Sequence, residues 1–81
     1  MNQEDILKRI VLMPDVMTGK PVIRGTRLTV QYILNLLAQG LSENEILAEY
    51  QGLQHDDITA CLLYASKTIA DTEFMPFITQ A

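Results

Sequence analysis

The chain of 81 residues has no tryptophan, a single cysteine and a single histidine. One cysteine, Cys61, excludes an internal disulfide and suits a reducing compartment. His55 and Cys61 are six positions apart, and on a helix they would face different ways. A shared metal site or a Cys–His nucleophile pair is therefore not expected, and no cofactor is implied. No apolar run approaches the ~20 residues needed to span a bilayer. The acidic start, with Glu4 and Asp5, is unlike the basic opening of a signal peptide. Together these absences predict a cytoplasmic protein with no membrane partner. Internal repeats, low-complexity tracts and interdomain linkers are missing too, so a single domain over 1–81 is expected.

Positive charge is scarce, and it is unevenly placed. Residues 1–30 carry Lys8, Arg9, Lys20, Arg24 and Arg27 against Glu4, Asp5 and Asp15, a net of +2. Residues 31–81 carry Lys67 alone against seven carboxylates, a net of −6, which gives the overall −4. A chain this acidic does not coat nucleic acid, because summed repulsion opposes phosphate. One local face can still meet an anion. At this length folding hides only roughly 60% of the unfolded chain's surface, and association is a common remedy. The apolar fraction of 48% leaves material for a homodimer interface.

The densest information lies in residues 19–27, which read GKPVIRGTR. Pro21 fixes its own φ and pushes Lys20 towards an extended conformation. Gly19 and Gly25 permit angles that a Cβ resists. The segment is expected to be a shaped surface feature, with Lys20, Arg24 and Arg27 as candidate DNA phosphate contacts. It is not a phosphate-binding loop of the nucleotide-binding kind. Position 14, where that motif needs glycine, is proline, and position 21, where it needs Ser or Thr, is also proline.

Around this segment, residues 4–9 suggest a helical turn. Ile10, Val11, Leu12 and Met13 form a short apolar run stopped by Pro14. Residues 27–30 are a candidate partner strand, making a short hairpin, or else an extended arm, over 1–29. A helix then starts after Thr29 as N-cap, with Val30, Ile33, Leu34 and Leu37 as its core stripe and Gly40 at its end. Ser42 and Glu45 read as a capping box for a second helix running to about Tyr50. A third begins near His55, where Asp56 and Asp57 suit the helix dipole. Its expected buried stripe is Ile58, Cys61, Leu62, Ala65 and Ile69.

Three helices over 30–73, the last two joined by a glycine turn, suggest a mainly α, homeodomain-like bundle with a helix-turn-helix. Ala48, Gly52, Ile58 and Cys61 stand where that motif needs a small residue, a turn glycine and two buried side chains. The exposed leading residues of the third helix are expected to be Gln54, His55, Asp56, Thr59 and Ala60. Gln54 and Thr59 are the candidates for a base edge, although the two carboxylates beside them oppose phosphate. Leu63 and Tyr64 lie off the stripe and are expected at a dimer or partner interface.

The segment 19–27, with the helix after it, Gly40, Leu41, Ser42, Glu45, Ile46, Glu49, Tyr50, Gly52, Leu53, Asp57 and Ile58, resembles a family of small prokaryotic proteins. That family was long catalogued as a domain of unknown function, and many members look like antitoxins of the Vap type. The likeness covers roughly residues 10–66. Gly19, Lys20, Pro21, Ile23, Gly25, Thr26 and Arg27 occupy its motif, G-K-P-x-I-x-G-T-R. The resemblance implies a homeodomain-like fold, frequent dimerisation and a neighbouring PIN-domain-like nuclease toxin as partner. The family offers no settled catalytic residues, so no enzyme activity is implied. Members often carry Ser or Thr followed by Pro where this chain has Gln54 and His55.

Two functions stay open. One is an antitoxin that binds the toxin and operator DNA. The other is a dimeric interaction module independent of DNA. The apolar tail, 74–81, includes Phe74 and Phe77 and is barred from regular helix by Pro76. It is expected either to fold back on the core or swap in a dimer, or to dock into a toxin.

Overall fold

The computed structural model describes residues 2–15 and 17–71. The tail with Phe74 and Phe77 lies outside the described residues. The described residues form four α-helices, a two-stranded antiparallel sheet and one 3-10 turn (Met17–Gly19): α1 (Gln3–Leu7), β1 (Ile10–Leu12), β2 (Pro21–Ile23), α2 (Val30–Ala38), α3 (Glu43–Glu49) and α4 (His55–Ala70). No described helix is long and apolar enough to cross a membrane.

Local chemistry accounts for the helix ends. The Asn2 side chain accepts the Asp5 N–H at 2.9 Å and opens α1. Thr29 Oγ1 accepts the Tyr32 N–H at 3.0 Å and opens α2. At the far end of α2, Gly40 takes φ +101°. Its N–H reaches the Leu37 carbonyl at 3.0 Å and the Leu41 N–H reaches Leu36 at 3.2 Å. This pair of bonds is a Schellman closure, which a left-handed glycine permits. The capping box of α3 is complete, with Ser42 N–H to Glu45 Oε1 at 2.9 Å and Glu45 N–H to Ser42 Oγ at 3.1 Å.

The strand pairing differs from expectation. β1 pairs with Pro21–Ile23, in the register Ile10–Ile23, Val11–Val22 and Leu12–Pro21, and not with residues 27–30. The latter contribute only a bridge between Thr29 and Val22. Pairing through β2 buries Val22 and Ile23 to 1% exposure each and leaves Thr29 free to cap α2. Pro21, which lacks an N–H, sits at the first residue of its strand, where a ladder tolerates it.

The core joins Ile23, Val30, Ile33, Ile46, Ile58 and Cys61, with Leu34, Leu37, Leu47, Tyr50 and Tyr64 packed around it. The expected face of α4 needs correction. Ile58 and Cys61 are buried and Ala65 half-buried, but Leu62 is 47% and Ile69 70% exposed. Ala60, expected at the surface, is fully buried, and Tyr64, expected at an interface, packs on the core. Leu63 is half-buried. α4 is contacted by α1 and β1 as well as by α2 and α3, so more than one stripe of it is covered. Asp57, Ala60 and Tyr64 recur at helical spacing, so they share one face of α4. Ala48, expected at a close helix contact, is exposed.

Candidate functional site

Residues 19–28 close on themselves. The Ile23 N–H donates to the Leu28 carbonyl at 2.9 Å, and the Thr26 N–H to the Ile23 carbonyl at 3.0 Å. Thr26 Oγ1 donates to that same carbonyl at 2.8 Å and accepts the Leu28 N–H at 3.0 Å. Gly25, at the third position of the turn, has φ +80°, which a type II turn requires there. A Cβ at Gly25 would meet nothing within 4 Å, so glycine is needed for its backbone angle alone. Gly19 has φ +78°. The Arg24 N–H donates to the Arg9 carbonyl at 2.7 Å, which ties the turn to the end of α1.

The three candidate DNA contacts of this segment, Lys20, Arg24 and Arg27, are exposed, and none makes an ion pair among the described residues. They point into different hollows. Lys20 borders an apolar groove of about 430 Å³ walled by Pro21, Val30, Leu34, Tyr64, Ala65 and Ile69. Arg24 joins Lys8 and Arg9 in a second hollow, of about 390 Å³, shared with Asp5 and Asp57. Arg27 lies beside Leu28, Thr29 and Tyr32. The association of Arg24 with Lys8 and Arg9 has no local signature in the sequence, since the β1–β2 pairing creates it.

At the amino end of α4, the candidate base contacts are already occupied. Gln54 Oε1 accepts from Arg9 Nη1 at 3.2 Å. Arg9 Nη1 also lies 3.0 Å from Asp57 Oδ1, and its Nη2 3.7 Å from Asp56 Oδ2. Asp57 Oδ2 accepts the Gln54 N–H at 2.8 Å. Asp57 is only 7% exposed, so it is a buried, paired carboxylate as well as a partner of the helix dipole. Thr59 Oγ1 sits 3.4 Å from His55 Nε2, and His55 Nδ1 sits 2.7 Å from Glu43 Oε2. His55 is exposed at the start of α4, as expected, and its ring also bridges α3 to α4.

The pairing of two tyrosines has no local signature in the sequence. Tyr32 and Tyr50 meet edge to face, with centroids 5.9 Å apart and ring planes at 86°. Their hydroxyls hydrogen-bond, and that bond is the main cause of a raised Tyr50 pKa. The Cys61 thiol is pushed up to about 12, chiefly by burial and then by the Asp57 charge. Among the described residues no cluster of His, Cys, Asp or Glu is placed to hold a metal ion.

The profile of a family described as protein of unknown function (DUF433) matches residues 10–65. The crystal structure of a DUF433 member protein from Anabaena variabilis is similar, with a TM-score of 0.74 and 30% sequence identity. The match covers 83% of this chain and 66% of that one, so the chain spans just under two thirds of its relative's length. No curated protein matches. The chain belongs to the DUF433 family.

Proposed function

We propose that this member of the DUF433 family is an antitoxin-like component of a toxin–antitoxin pair, acting by binding and not by catalysis. In this reading it is a cytoplasmic homodimer that engages a PIN-domain-like nuclease toxin and meets operator DNA through its basic amino-terminal half. One observation carries the DNA half: the closed turn holds Arg24 and Arg27 outward with no ion-pair partner among the described residues. A rigid loop with free guanidinium groups loses little on meeting phosphate. The toxin half is supported by the likeness of the G-K-P-x-I-x-G-T-R motif to Vap-type antitoxins. We read α2, α3 and α4 as a homeodomain-like trio with α3 and α4 as the helix-turn-helix. Gly52, at φ +97° between them, and the buried Ile58 and Cys61 favour it.

Contact with DNA is assigned to the turn and not to α4. Gln54 and Thr59 would first have to leave Arg9 and His55, and Asp56 and Asp57 stand beside them. That same engagement favours the second reading, a DNA-independent dimeric interaction module. Fluorescence anisotropy with the DNA upstream of the gene, with and without the product of the adjacent gene, separates the two. Salt-dependent binding and co-purification with a small nuclease are expected. Binding to the nuclease without DNA would leave an antitoxin that is not an operator-binding regulator. Binding to neither would overturn the antitoxin reading.

A further inference from the structure

Tyr32, in the first turn of α2, is 40% exposed, yet its ring is held. Its hydroxyl hydrogen-bonds to that of Tyr50, and the two rings meet edge to face, which ties the end of α3 to α2. A large aromatic ring is thus fixed with part of its surface in water. Arg27 stands beside it, and the two share a hollow of about 280 Å³ with Leu28 and Thr29. Arg27 is exposed and makes no ion pair among the described residues. The backbone between them is fastened at both ends. Leu28 is bonded to Thr26 and Ile23, and Thr29 caps the helix that carries Tyr32. In the hollows that hold Lys20 and Lys67 the aromatic residue is Tyr64, which packs on the core.

We propose that Arg27 and Tyr32 form a site for one unpaired nucleotide, its base stacked on the Tyr32 ring and its phosphate on the Arg27 guanidinium. From the reading above it takes only the phosphate on Arg27. The hollow lies just under the size of pockets that enclose a whole small ligand, which suits one planar ring laid against its wall. An aromatic platform accepts any base, because every base has a π-face. A guanidinium fork matches two phosphate oxygens. Since the ring is already fixed, stacking on it costs little further ordering. A base inside a duplex must first leave its neighbours, so the site favours a single strand. The net charge of −4 opposes a long track of phosphates and confines the contact to this short stretch.

Fluorescence anisotropy of a short labelled oligothymidylate tests the site, with the same strand paired to its complement and an abasic strand as controls. The single strand is expected to bind more tightly than either. Tyr32→Leu should weaken it about 5- to 150-fold, the worth of one base–aromatic stack, and Tyr32→Phe much less. Because the chain lacks tryptophan, Tyr32→Trp adds a fluorescent reporter and keeps a ring in place. Its emission should be quenched by the oligothymidylate and not by the abasic strand, whether or not Tyr32→Leu folds. Competition by thymidine monophosphate at the affinity of the strand would keep the site and assign it to free nucleotides. Equal binding by wild type and Tyr32→Leu, or an unquenched Tyr32→Trp, would overturn the proposal. Binding of the duplex alone would overturn it too while leaving operator binding standing, and binding of the strand alone would do the reverse.

Discussion

Arg9 and Asp57 stand 48 positions apart in the chain, and Arg9 Nη1 approaches Asp57 Oδ1 to 3.0 Å. This contact fastens the junction of α1 and β1 to the first turn of α4. Its partners are unequal: the Arg9 side chain is 27% exposed and that of Asp57 10%. Arg9→Ala leaves a largely buried carboxylate without its cation. The expected loss is about 2 kcal/mol, below the range for a fully buried pair because water reaches Arg9. Asp57→Asn keeps an acceptor for the Gln54 N–H and should cost less than Arg9→Ala in urea denaturation.

Gly25 offers a separate test of the turn. Val at a φ of +80° is strained even though the space around it is open. Gly25→Val should cost roughly 1–3 kcal/mol, and Gly25→Asn clearly less, because Asn tolerates the left-handed region. Thermal melts of the two variants that coincide would show that the backbone angle does not matter.

If DNA is bound through the turn, the salt dependence will say so. Each phosphate contact contributes roughly −0.9 to the slope of log K against log salt. Replacing Arg24 and Arg27 together by Ala should flatten the slope by up to about 2, whereas Thr59→Ala should leave it unchanged. A slope altered by Thr59→Ala would move the contact to α4.

The Cys61 thiol, fully buried and with its pKa pushed up to about 12, should resist alkylation at pH values where a free cysteine reacts. Labelling with a maleimide is expected to proceed only through opening of the core, and so to be roughly 100-fold or more slower in buffer than in urea. Rapid labelling in buffer would mean that the base of α4 opens readily.

The capping box of α3 carries a pH signature. Hydrogen bonds from the Ser42 backbone and hydroxyl lower the Glu45 pKa below its ordinary value of 4.5. A lowered folded-state pKa contributes stability that is present above the unfolded value and lost as pH falls through the folded one. Glu45→Gln, which removes the charge that the Ser42 backbone and hydroxyl favour, should therefore lower the melting temperature near neutrality, and the difference from wild type should shrink as pH falls below 4.5. A constant difference across that window would detach the effect from the Glu45 charge.

What the sequence revealed was local. Thr29, Gly40 and the Ser42–Glu45 box each act over three or four residues, so their chemistry can be read in place. The angles at Gly19 and Gly25 were legible for the same reason. Arg9 is different, since nothing near it in sequence marks Asp57 as its partner. The buried face of α4 differs from its apolar stripe for a related reason. A single apolar stripe implies a single covering surface, but α1 and β1 also contact α4, and Ala60 is buried while Leu62 is 47% exposed. Residues 27–30 and 21–23 are both plausible strands. The choice between them depends on burying Val22 and Ile23 together, a tertiary demand.

The ring of bonds through Ile23, Thr26 and Leu28 also bears on how such a protein diverges. The ring is made by main-chain groups and one threonine hydroxyl, and the side chains of Arg24 and Arg27 take no part in it. Substitution at those two positions therefore changes what the loop displays while its frame is retained. Selection can retune the loop's ligand preference at 24 and 27 with little penalty to folding, whereas changes at Gly25 or Thr26 are purged whatever the ligand.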